Sequence, residues 1–181
     1  MERKRLVVSL IAISIVIAVV ALIVLEPWKE EMTLAEKAVI YKDDLVETGW
    51  RQLWVLNSGS LTEGTSSYCE VGMRTDDIAA FVAMYAFDSP DEAKAYYRNA
   101  ADNITFESPV EPFDAGEEGT IVMHRNGNGT CAMFFYQENL FVWMELLSGG
   151  WLENEIVDDD LLMDTALMLG HVQELKISAV L

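Results

Sequence analysis

The chain has 181 residues, with twelve Lys and Arg against thirty Asp and Glu, for a formal net charge of −18. Three of those cations stand at positions 3–5, so beyond residue 25 nine cations face 29 acids, a net of about −20. That balance argues against nucleic acid or an anionic membrane surface as a partner of the acidic part, since both would be repelled.

Residues 6–25 read LVVSLIAISIVIAVVALIVL, twenty residues without a charge. At about 1.5 Å per residue the run spans roughly 30 Å, the thickness of a hydrocarbon core. Arg3, Lys4 and Arg5 precede it, and Glu26, Lys29, Glu30 and Glu31 follow. The positive-inside rule then puts residues 1–5 in the cytoplasm, a single transmembrane helix at 6–25, and the rest outside the cell membrane. The rival reading is a signal peptide cleaved after Ala21. Against it, the apolar run continues through Leu25 and exceeds an ordinary signal core.

Residues 26–32 are a short acidic linker, and 33–181 have the length of one domain. Thr33 and Glu36 form a capping box before a predicted helix to about Glu47. A strand follows from Trp50 to Leu56, and Ser, Gly and Thr mark a loop over 57–66. Strands are predicted at Ser67–Arg74 and Ile78–Phe87, separated by the turn Thr75-Asp76-Asp77. Ser89-Pro90-Asp91-Glu92 starts a helix that runs to about Ala101. Asn103–Gly119 reads as a long acidic loop. Thr120–Arg125, Thr130–Gln137 and Leu140–Leu147 read as an antiparallel meander, with turns at Asn126–Gly129 and Glu138-Asn139. Asp158-Asp159-Asp160 caps a last helix to about Leu175, with Leu161, Leu162, Thr165, Ala166, Leu169 and Val172 as its buried stripe. The order predicts an α+β domain: a curved antiparallel sheet of about five to six strands packed by two or three helices.

Three strands are apolar on both faces, which an antiparallel sheet with one wet face would not be. Ile78, Val82 and Met84 oppose Phe81, Tyr85 and Phe87. Met133 and Phe135 oppose Phe134 and Tyr136, and Val142 and Met144 oppose Phe141 and Trp143. One set is expected on the helices at 90–101 and 158–175. The other is hidden by the N-terminal helix and the Trp50 strand, or lines a groove. The aromatic and methionine surplus marks Trp50, Trp54, Phe135, Trp143 and Met144 as groove residues for an apolar ligand or a peptide. The plain alternative is ordinary core.

The segment VAMYAFDSPDEAKAYY (82–97), followed by DAGEEGTIVMHRNGNGTCAMFF (114–135), resembles a widespread set of membrane-anchored extracytoplasmic domains. They share Phe-x-Ser-x-x-Glu-Ala before a helix, a Gly-Asp/Glu-Glu turn, and two strands joined by an Arg-x-Gly-Asn turn. The sensor domains of some bacterial serine/threonine kinases are of this general type. The resemblance implies a sheet that grips a helix around a groove, and a location outside the cytoplasm. It implies no activity, and the two-disulfide arrangement common in the kinase sensors is absent here.

Cys69 and Cys131 are the two cysteines, both on predicted strands. In an oxidising compartment a bridge between them would close a loop of about 60 residues, worth roughly 4 kcal/mol; the alternative is two buried thiols. Asn103 and Asn128 begin N-glycosylation sequons. His171 and Glu174 lie three apart on the last helix, too few for a metal site. The Asp158–Asp160 run with Glu153, Glu155 and Asp164 is read as helix capping in preference to calcium. No catalytic motif is found, so no cofactor, metal or catalytic residue is expected. The sequence points to a non-enzymatic binding or sensing domain. The alternative is an envelope interaction protein whose sheet face pairs with its own copy or another protein.

Overall fold

In the computed structural model, the described residues are 32–45, 49–58, 64–103, 110–124, 129–148 and 158–181. The apolar run at 6–25 and the sequon asparagine Asn128 lie outside them. No helix among the described residues is long and apolar enough to cross a membrane.

Among the described residues seven strands make one antiparallel sheet: β1 (Arg51–Ser58), β2 (Thr65–Arg74), β3 (Ile78–Phe87), β4 (Val110–Phe113), β5 (Glu118–His124), β6 (Thr130–Gln137) and β7 (Leu140–Ser148). Their spatial order is β1-β2-β3-β7-β6-β5-β4. Two meanders, β1–β3 and β4–β7, are therefore zipped together where β3 meets β7. Among the described residues three helices pack on the sheet: α1 (Leu34–Ala38), α2 (Pro90–Asn103) and α3 (Asp159–Val180). The sheet is one strand larger than the sequence indicates, because β4 lies within the stretch that reads as loop. Its Pro112 has no N–H to give a ladder, which an edge strand tolerates and a central one would not.

The first helix is much shorter than its pattern. Thr33 and Glu36 make the predicted capping box, but the helix stops at Ala38, with Val39 extended at φ −70° and ψ 142°. The groups that would continue it are taken by other partners. Gln173 of α3 accepts from the Ile40 N–H at 3.0 Å and donates to the Ala38 carbonyl at 2.6 Å. The Tyr41 hydroxyl takes the Glu36 carbonyl at 2.9 Å. A 3-10 turn over Lys42–Leu45 then closes the segment, and the Asp44 carboxylate accepts from the Tyr41 N–H at 2.7 Å.

The two sheet faces are buried by different elements. On the first face, Val71, Met73, Val82, Met84, Met133, Phe135, Val142, Met144 and Leu146 form one core with Ala35, Ala38, Ile40, Leu162, Ala166, Leu169 and Ile177 of the α1 segment and α3. On the second face, Phe87, Phe134, Tyr136 and Phe141 pack with Ala93 and Tyr97 of α2. The expectation that the helices at 90–101 and 158–175 share a face is corrected: they lie on opposite faces, and α3 shares its face with α1. A chain leaving β3 into α2 must travel to the far edge strand β4, and α2 makes that crossing over the face that α1 and α3 do not occupy.

The stripe expected on α3 is displaced at its ends. Leu162, Ala166 and Leu169 are buried as expected, together with Gly170, Gln173 and Ile177, whereas Leu161 is 50% exposed. Gly170 permits close packing, because a Cβ there would lie 2.5 Å from Met133 Sδ and 2.7 Å from Phe113 Cζ.

The expected disulfide is also corrected. Cys69 and Cys131 are both free and buried. β2 and β6 are separated by β3 and β7, three strand steps of about 4.8 Å each, beyond the roughly 7 Å that a bridge allows between Cα atoms. Burial, with no charge to compensate it, pushes the Cys131 thiol up to about 12. Burial likewise pushes Cys69 up to about 11, where its Sγ donates to the Asn57 side-chain Oδ1 at 3.0 Å and lies 3.8 Å from the Tyr41 hydroxyl.

Candidate binding surface

Strand register decides which side chains share a surface. On the α2 face, one row across the strands runs Trp54, Gly72, Phe81, Glu145, Ala132. The next runs Leu56, Glu70, Ala83, Trp143, Phe134, and the third runs Tyr68, Tyr85, Phe141, Tyr136. Helix α2 sits on the third row and the β6 end of the second. Phe134, Tyr136 and Phe141 are fully buried there, and the Tyr97 hydroxyl lies 2.8 Å from Thr120 Oγ1.

Towards β1 and β2 the same face is only partly covered. Trp54, Phe81, Tyr85, Trp143, Glu70 and Glu145 are all partly exposed, and Leu56 is 56% exposed. The rings still touch. The Trp54 and Phe81 centroids are 5.3 Å apart, Tyr68 and Tyr85 4.8 Å, and Trp143 stacks on Phe134 at 5.3 Å with an interplanar angle of 11°. Gly72 makes room for the Trp54 indole, which lies where a Cβ would be, 2.5 Å from its nearest ring atom. Small residues at Gly72 and Ala83 thus form the floor between aromatic side chains.

Two carboxylates interrupt this apolar surface. The Tyr68 hydroxyl donates to Glu70, and burial together with that acid holds the Tyr68 phenol above its ordinary range. Burial also pushes Tyr85 up to about 12. Both phenols are protonated at neutral pH, and it is Tyr68 that donates, to Glu70. Glu145 stands between Phe81 on β3 and Ala132 on β6, and no hydrogen bond or ion pair reaches it among the described residues.

The five expected groove residues do not come together. Trp54 and Trp143 lie on the aromatic face described here. Trp50, Phe135 and Met144 are buried in the core of the opposite face, with Phe135 and Met144 fully inaccessible. The alternation in the sequence separates the faces correctly, since Phe134, Tyr136, Phe141 and Trp143 do share one side. The groove set mixes both sides because residue type alone does not tell one face from the other. The residues it lacked, Phe81, Tyr85, Glu70 and Glu145, carry the same parity signal and follow from it once β3 is known to pair with β7.

His171 and Asp158 make structural contacts. His171 Nδ1 lies 3.7 Å from the Glu174 carboxylate and its ring 5.3 Å from Phe113, while Glu174 accepts from the Gly116 N–H at 2.9 Å. This pair ties α3 to the β4–β5 turn. At that turn Gly116 has φ +62°, and a Cβ would meet the Tyr136 carbonyl oxygen at 2.3 Å. Asp158 caps α3, its carboxylate accepting from the Asp160 N–H at 3.2 Å. No group of three or more His, Cys, Asp or Glu among the described residues is placed to hold a metal ion. Asn103 is the exposed last residue of α2, its amide donating to the Asn99 carbonyl at 2.8 Å.

No family model matches the chain, and no curated protein matches it. Among solved structures, the extracellular domain of PknH from Mycobacterium tuberculosis is similar in fold, with a TM-score of 0.53 and 11% identity, over 78% of this chain and 93% of that one. A GTP binding regulator from Thermotoga maritima aligns with a TM-score of 0.47 and 14% identity, over 79% of this chain and 88% of that one. The PknH domain is of the type that residues 82–97 and 114–135 resemble, and the likeness is one of fold.

Proposed function

We propose that this chain is a non-enzymatic binding or sensing protein, whose domain at 33–181 is held outside the cytoplasm by a membrane anchor at 6–25. The observation that carries the reading is the partly uncovered aromatic face around Trp54, Phe81 and Trp143. Burying a large side chain contributes about 1.5–3 kcal/mol, so a row of rings kept half in water has a cost that ligand contact would offset. The fold shared with an extracellular domain supports the location. So does the basic cluster Arg3-Lys4-Arg5 before the apolar run. The face suits an apolar or aromatic-compatible ligand, a peptide or a protein segment.

A second reading, an envelope protein whose sheet pairs with another chain, is favoured by the β1 edge. There Leu53 is 46% and Leu56 is 56% exposed on a strand with one side unpaired among the described residues. Native mass spectrometry of the full chain, extracted in detergent from its own membranes, separates the two. Extra mass lost on Trp143→Ala, with the subunit number unchanged, supports the binding reading. A dimer that the same substitution dissociates supports the interaction reading. A bare monomer in both proteins counts against each. N-terminal sequencing of the same material should read Met1 or Glu2; a chain that starts at Leu22 would remove the anchor.

A further inference from the structure

Two places in the described domain hold a lysine between a carboxylate and an aromatic ring, and a third resembles them without one. Lys94 of α2 lies 5.7 Å from the Tyr136 ring centroid and 3.7 Å from the Glu118 carboxylate. Lys176 of α3 lies 4.7 Å from the Tyr41 ring centroid and pairs with Asp44. In each case the ring face and the acid attract the same ammonium group. The third place is the open part of the aromatic face. Glu145 has Phe81 directly across on β3, and Trp143 lies two residues back on the same strand and the same side. Glu70 lies one row over, across from Ala83. Here no lysine is supplied among the described residues. The cations of this open part are Arg51, which pairs with Asp76, and Arg74, one row beyond Gly72, which makes no ion pair among the described residues.

We infer that this face takes a basic polypeptide segment, one cationic side chain seated against Glu145 between Phe81 and Trp143 and a second against Glu70. This rests on the reading of the aromatic face as a binding surface. An inorganic cation is a poor fit, because it needs several converging oxygens and these two acids stand two strands and one row apart, roughly 12 Å between Cα atoms. That separation matches about four residues of extended chain, at about 3.3 Å per residue. The excess of acid over the domain adds a long-range pull in the same direction.

The test is calorimetric titration of the full chain in detergent with N-acetylated hexalysine amide, at about physiological ionic strength so that distant charges are screened. Glu145→Gln and Trp143→Ala should each weaken binding at least about fivefold, with far-ultraviolet circular dichroism unchanged. Glu111→Gln, which removes the same charge from an exposed site on the far edge strand, should leave affinity within about twofold. Equal effects of Glu145→Gln and Glu111→Gln would reduce the binding to general charge and overturn the proposal. Binding of tetraethylammonium but not hexalysine would overturn it in favour of a small amine. If mass spectrometry finds a neutral ligand lost with Trp143→Ala while hexalysine does not bind, the binding reading stands and this inference falls.

Discussion

The two faces of the sheet solve the same burial problem with different residues. The face under α1 and α3 is filled mostly by Val, Ile, Met, Leu and Ala, with Phe135, Phe113 and Trp50 set among them, and its central strand positions are closed to solvent. The face under α2 is filled by Phe, Tyr and Trp, and closes only where that one helix lies. Branched and thioether side chains fill the uneven space beneath two converging elements. Aromatic side chains carry more area each, so a single helix with Ala93 and Tyr97 at its contact can seal a row of them. Beyond the helix, rings tolerate half-exposure, since they keep contact with one another while their edges meet water. The same sheet thus has a structural side and an available side.

The largest expected effect is on the closed side. Phe135→Ala should cost about 3–5 kcal/mol in urea unfolding, because the side chain is fully buried and its neighbours are held by both α3 and the sheet. A loss below about 1.5 kcal/mol would mean that the two faces are not as different as described.

Gln173→Ala should follow at about 2–4 kcal/mol. It strands the buried Ile40 N–H and the Ala38 carbonyl, which have no water to turn to. Hydrogen exchange should localise the loss at Ile40, and unchanged protection there would show that the clamp does not hold the α1 segment.

Trp143→Ala should cost only about 1–2 kcal/mol, from the stacked pair with Phe134 and partial burial. A loss as large as that of Phe135 would return Trp143 to the core and remove the open surface.

The thiols sharpen the closed side through pH. Cys69 rises from 9.0 to about 11 and Cys131 from 9.0 to about 12 in the fold, so between pH 9 and those values the unfolded chain has lost protons that the native chain keeps. Stability should therefore be unaffected by these groups below pH 9 and fall above it. Tyr85, pushed from 10.0 to about 12, adds to the fall from pH 10 upward. A Cys131→Ser variant should show a shallower decline, and an equal slope would exclude the thiol as a cause.

The smallest expected effect is at the rim. Arg51→Ala breaks an exposed pair with Asp76 and should change stability by no more than about 0.5 kcal/mol.

Much of this domain was legible from local pattern. Thr33 with Glu36, Ser89 with Glu92, the Thr75–Asp77 turn and the Glu138-Asn139 hairpin all act within four residues, and each appears where the sequence places it. The parity of Phe81, Tyr85, Phe134, Tyr136, Phe141 and Trp143 also follows from the chain itself, because successive side chains on any strand alternate sides.

What the sequence could not hold was which partner each pattern would meet. The α1 helix ends at Ala38 because a glutamine 135 residues further on takes its carbonyl. β4 exists because an edge position accepts Pro112. The cysteines are unbridged because β3 and β7 come between their strands, and α2 and α3 take opposite faces because the crossing to β4 runs over the free one. Caps, turns and alternation depend on neighbours along the chain, so the sequence alone determined them. Strand order, helix placement and the open aromatic surface depend on contacts between distant residues, so only the tertiary structure decided them.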